Sequence, residues 1–135
     1  RDSGFFAQRN DDVSLTADLR KQGGTPEEVL DNAELMRITL DTLRADYRIC
    51  SDFVHDTAAP TCLPIPLHTF AGRFDEIGAP QMQAWSAETR TRFTLDWFDG
   101  GHFFIRHQEV SFLAALTQRL QHEHREIDVA SHALA

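Results

Sequence analysis

The sequence predicts an α/β fold entered through a helical N-terminal part, and three observations predict it. Apolar residues recur at helical spacing through the first 56 residues, in a polar and interrupted pattern. From about Pro60 onward, strand-like runs alternate with helical ones in the order strand, turn, helix, strand, turn, helix. The 135 residues, 41% of them apolar, suffice for one modest core. Residues 1–56 therefore form a helical layer or a movable cover, and residues 57–135 the end of an α/β unit.

In "DDVSLTADLRKQGG", Val13, Leu15 and Leu19 fall near helical spacing, and Gly23 and Gly24 stop the helix. "TPEEVLDNAELM" restarts it, with Thr25 expected as N-cap, Pro26 at the first helical position, and Glu27 and Glu28 at the positive end of the helix dipole. In "ELMRITLDTLRADYRICSDFV", Leu43, Tyr47, Cys50 and Val54 share one face, which should pack on the sheet. Cys50 then reads as a small core residue. "PTCLPIPLHTFAGRFD" contains a short buried strand through Ile65, Leu67 and Phe70, running into a turn that carries Asp75. Pro80 starts a helix with Met82 and Trp85 on one face, and "RFTLDWF" alternates as a second strand. After the turn "DGGH", Val110, Leu113, Leu116 and Leu120 mark an amphipathic helix.

Composition excludes several classes of function. A formal charge of −8 opposes non-specific nucleic-acid binding and attraction to an anionic membrane. No apolar run reaches transmembrane length, and "RDSGFFAQRNDD" lacks a signal-peptide pattern, so a cytoplasmic protein is expected. Cys50 and Cys62 are too few for a disulfide scaffold and have no metal-ligand spacing, so both are expected as free thiols. His122 and His124 lie two apart on a helix and make a poor metal pair; no metal and no cofactor is expected. His107 reads as a surface or helix-start residue, and His55 and His68 show no partner in the sequence. The acids from Asp11 to Glu34 read as solvated helix faces, and Arg44 as pairing with a local acid.

Asp75 and His102 stand apart from these. Both follow a strand, at the carboxyl ends where reactive groups gather in open α/β sheets. Their separation of 27 positions allows one helix and one strand, which would set the two strand ends side by side. Asp75 can then accept a hydrogen bond from one ring nitrogen of His102, leaving the other free to act as a base. Gly100 and Gly101 allow backbone angles and close approaches that present the imidazole at the tip of a tight turn, with Phe103 and Phe104 as an apolar wall. A turn histidine serving only packing is the plainer reading of the same residues.

Four stretches in order, "LRKQGGTPEEVLDNAELM", "LRADYRICSDF", "FAGRFD" with the later "AWSAET", and "FDGGHFF", resemble the second half of the type II thioesterases. These are α/β-hydrolases that edit non-ribosomal peptide and polyketide synthases; the thioesterase releasing medium-chain fatty acids from fatty acid synthase is a nearby possibility. The resemblance runs from about Asp11 to Leu120, with Gln22 where the family usually has Leu. It implies the C-terminal part of an α/β-hydrolase fold with a helical lid over the acyl pocket. Asp75 and His102 would be the Asp and His of a Ser-Asp-His triad. The implied activity is hydrolysis of acyl or aminoacyl thioesters from the phosphopantetheine arm of an acyl or peptidyl carrier protein.

The nucleophile elbow of that family, G-x-S-x-G, is absent: Ser3, Ser14, Ser51, Ser86, Ser111 and Ser131 all lack the frame. The expectation is that about 100 residues with the serine and the oxyanion-hole loop lie N-terminal to Arg1 in a domain of roughly 200–250 residues, as a separate, cleaved or longer chain. An isolated piece would expose strand edges and associate. Two rivals remain: a non-catalytic remnant that binds a carrier or acyl chain, and a different α/β-hydrolase such as an esterase or peptidase.

Overall fold

The computed structural model describes residues 11–53 and 62–133. They fall into two compact units, residues 1–60 and 61–135.

The first unit is helical. Helix α1 spans Asp12–Gln22 and is started by Asp11, whose carboxylate accepts the backbone N–H groups of Val13 and Ser14 at 3.0 Å. Gly23 ends α1 in the left-handed region (φ 69°), where a β-carbon is unfavourable. The restart lies one residue later than the sequence suggests. Pro26, rather than Thr25, occupies the cap position of the short helix α2, Glu27–Leu30. A second cap, Asn32, accepts the N–H groups of Glu34 and Leu35 at 3.0 and 3.1 Å and opens the long helix α3, Ala33–Asp52.

The core of this unit is Leu15, Leu19, Met36, Leu40 and Tyr47, with Val29, Leu30 and Leu43 packed against it. The buried face of α3 therefore begins a turn or two earlier than expected and finds a partner in α1. Cys50 is exposed, contrary to its reading as a core residue, because the buried stripe has turned away by that point; Val54 and His55 lie outside the described residues. Val13 is 80% exposed, because only Leu15 and Leu19 of its expected stripe face α3. Asp18 departs from the expected solvated acidic face: it is buried, and Tyr47 Oη donates to its Oδ2 at 3.4 Å. Arg44 pairs with Asp41 at 2.9 Å and with Asp12.

The second unit is a strand–helix–strand–helix unit. Strand β1 spans Leu67–Gly72, helix α4 Ala79–Gln83, continued by a 3-10 turn at Ala84–Glu88, and strand β2 Phe93–Phe98. The strands pair in parallel from Leu67↔Phe93 to Gly72↔Phe98. Met82 is half-buried and Trp85 exposed. Helix α5, Phe104–His107, leads into the long helix α6, Glu109–Ala133.

The pleat puts His68, Phe70, Thr94, Asp96 and Phe98 on one face of the sheet, and α6 lies against it. Near the strand carboxyl ends the contact is aromatic. Phe112 meets Phe70, Phe98 and Phe104 edge-on at 5.2, 6.0 and 6.1 Å between ring centroids, and Phe98 stacks on Phe104 at 5.1 Å. Toward the other end the contact is ionic. Arg119 forks onto Asp96 with bonds of 2.7 and 2.9 Å, which holds its guanidinium above the ordinary arginine pKa. His68 bridges Thr94 (2.7 Å) and Glu123 (3.1 Å), and Arg92 reaches Glu123 (3.0 Å) and Glu126.

Candidate active site

Because β1 and β2 are parallel and in register, the loops that follow them leave the sheet side by side at its carboxyl edge. Backbone hydrogen bonds stitch these loops together. Arg73 N–H donates to Phe98 O and Phe74 N–H to Gly100 O, both at 2.9 Å, and Asp75 N–H turns back to Gly72 O at 3.3 Å. The Arg73 guanidinium also meets Asp99 at 3.2 Å.

This scaffold brings Asp75 and His102 together, 3.0 Å apart between Oδ2 and Nδ1. An ionised carboxylate only accepts, so the shared proton sits on Nδ1 and the ring nitrogen not engaged by Asp75 is Nε2. The other carboxylate oxygen, Oδ1, accepts Ile77 N–H at 3.3 Å. Asp75 is the enclosed partner, with 14% of its side chain exposed, and His102 the open one, with 42%. A carboxylate fixed from two sides and an imidazole facing outward form an arrangement that can serve general-base chemistry.

The two phenylalanines after His102 divide their work. Phe103 is half-buried and stands edge-on to the imidazole, with centroids 5.1 Å apart, while the Arg106 guanidinium lies 5.4 Å over the Phe103 ring. Phe104 is buried in the aromatic cluster below and anchors the turn to the core. The glycines meet the expectation of close approach at one position and not that of unusual backbone angles. Neither Gly100 nor Gly101 has positive φ, so backbone angles do not require them. Gly100 is needed for proximity, since a β-carbon there would lie 2.8 Å from Phe104 Cβ, whereas at Gly101 it would meet nothing within 4 Å.

His107 ends α5 and is exposed, and His122 meets Glu126 at 3.4 Å one turn along α6. His68, partnerless in the sequence, takes part in the ionic contact between sheet and helix. Its partner Glu123 is 55 residues away, so no local pattern could reveal it.

The profile of the thioesterase domain family matches residues 6–120. The chain belongs to the thioesterase domain family. Among its relatives, the gramicidin S biosynthesis protein GrsT of Aneurinibacillus migulanus is 30% identical over 111 residues, covering 82% of this chain and 43% of the relative. Thioesterase PikA5 of Streptomyces venezuelae is 34% identical over 100 residues, covering 73% and 34%. Among solved structures, the type II thioesterase BorB from the borrelidin biosynthetic cluster superposes with a TM-score of 0.65 at 34% identity, covering 82% of this chain and 44% of that one. This thioesterase chain thus spans less than half the length of these relatives. Its helices and parallel strands are part of the α/β-hydrolase fold that the resemblance implies. Among the described residues, no helix is long and apolar enough to cross a membrane.

Proposed function

We propose that Asp75 and His102 are the acid and base of a Ser-Asp-His triad that hydrolyses acyl or aminoacyl thioesters, with the nucleophilic serine outside these 135 residues. The observation that carries this reading is the 3.0 Å hydrogen bond between Asp75 and His102 at the carboxyl ends of adjacent parallel strands. Membership of the thioesterase family supports it. The absent G-x-S-x-G frame, together with coverage of 43% of the GrsT relative, supports the place given to the serine.

In this mechanism, Nε2 of His102 takes the serine hydroxyl proton as Oγ bonds to the thioester carbonyl carbon. The tetrahedral adduct collapses with loss of the C–S bond, and the departing thiolate takes the proton from Nε2. Water then attacks the acyl-enzyme, giving its proton to the same nitrogen, and the carboxylic acid leaves as serine regains its proton. Asp75 stays ionised throughout and stabilises the imidazolium. The chemistry is supplied by side chains, and no cofactor or metal takes part.

BorB comes from the borrelidin biosynthetic cluster, and GrsT is a gramicidin S biosynthesis protein. On that basis we take the substrate to be an acyl or aminoacyl group on the phosphopantetheine arm of a carrier protein. The role is editing of stalled or mis-primed synthase modules, and the setting is the cytoplasm. The helical unit, with its "QGGTPEEVL" segment, takes the part of the lid. The missing serine frame favours one alternative, a non-catalytic remnant that only binds a carrier or acyl chain. Thioester turnover by the protein at its full natural length separates the readings. His102→Ala should abolish hydrolysis of an acyl-carrier thioester, and an undiminished rate would overturn the catalytic assignment. Cleavage of simple esters without cleavage of carrier-bound acyl groups would overturn the editing role while leaving the chemistry intact.

A further inference from the structure

The contact between the two catalytic loops is made at a residue that carries no functional group. A β-carbon at Gly72, the last residue of β1, would lie 2.3 Å from Gly101 O, 2.5 Å from Gly100 O and 3.0 Å from Gly101 C. All three are backbone atoms of the turn that presents His102, so no side chain can rotate away to make room. Gly72 does not have positive φ, so the requirement there is for space rather than for an unusual conformation. The same glycine supplies the carbonyl that holds Asp75 N–H, at 3.3 Å, and its neighbours Arg73 and Phe74 donate to Phe98 O and Gly100 O. One bare backbone position is thus in contact with both loops.

We infer that Gly72 is a positioning residue for the Asp75–His102 pair, setting their separation by letting the Gly100–Gly101 backbone seat directly on the end of β1. The inference rests on the catalytic reading of that pair. A methyl group at this position must displace the turn by roughly 1 Å to relieve a 2.3 Å approach, with Asp75 held on the strand side. A displacement of about 1 Å at a proton-transfer site is enough for a rate loss on the order of 100-fold. Gly72 acts through the separation of the pair, so the loss should fall on kcat and leave KM within about threefold.

The test uses the protein at its full natural length and an acyl N-acetylcysteamine thioester as probe. Gly72→Ala should lower kcat on the order of 100-fold with little change in KM. In an Asp75→Asn background the same substitution should cost less than about tenfold, because a residue that acts through the pair loses its effect once the pair is broken. Equal losses in the two backgrounds, or a wild-type kcat for Gly72→Ala, would overturn the inference. Should Gly72→Ala fail to fold, Gly101→Ala decides. A loss below about fivefold fits a turn placed by its seat on β1, and a loss as large as that of His102→Ala would show that freedom at Gly101 sets the geometry instead. If His102→Ala itself leaves turnover intact, it is the catalytic reading that falls, whatever Gly72→Ala does.

Discussion

Asp75 uses both carboxylate oxygens, one on His102 Nδ1 and one on the Ile77 amide, so its orientation does not depend on the histidine alone. Asp75→Asn should therefore keep the fold but present an amide to the ring and favour the wrong tautomer. A kcat loss on the order of 10⁴-fold with KM little changed is expected in steady-state kinetics on the full-length protein. Asp11 provides a second test at single-residue scale. Its carboxyl pKa is held below the ordinary value, first by the Ser14 backbone N–H, then by the Ser14 hydroxyl. Since the folded value is depressed, its contribution to α1 is complete above the ordinary carboxylate range and disappears as pH falls through the depressed value. Amide exchange at Val13 and Ser14 should quicken across that acidic window, and Asp11→Asn, which keeps the cap without the charge, should remove the dependence.

Helix α6 is joined to the sheet by aromatic packing at one end and by ion pairs at the other, and the two contacts should fail differently. Phe98 is buried among Phe70, Phe104 and Phe112 directly beneath the Gly100–His102 turn. Phe98→Ala should cost about 3–5 kcal/mol in denaturant unfolding, because the rigid rings around it cannot collapse into the space. Asp96 and Arg119 each keep more than a quarter of the side chain in contact with water, so solvent screening weakens their bond. Asp96→Asn should cost only about 1 kcal/mol in the same experiment. In the helical unit, Asn32→Ala removes the acceptor for two N–H groups at the start of α3, and a loss of about 1 kcal/mol is expected.

At the scale of the 135 residues together, a net charge of −8 means that an acidic partner receives no attraction from their overall field, so docking of a carrier would depend on local patches. The order of elements in the second unit was legible because each signal was local: alternation in "RFTLDWF", Pro80 ahead of α4, and the periodic apolar residues of α6. The same locality put Asp75 and His102 at two strand ends, since position along a strand is itself a sequence property. Apart from Asp75 and His102, side-chain partners at long range were not legible. Tyr47 reaches Asp18 across 29 residues and His68 reaches Glu123 across 55, and neither choice leaves a trace in local pattern. The face of α3 was misplaced because periodicity gives the spacing of a stripe but not the length over which a neighbouring helix covers it; α1 covers Met36 to Tyr47 and leaves Cys50 to solvent. Sequence by itself determined the elements, the candidate pair and the family resemblance, all of which depend on residue type and order. Only the tertiary structure decided that the pair meets at 3.0 Å and that Gly72 leaves room for it to do so, because strand pairing and backbone proximity arise from contacts between residues distant in the chain.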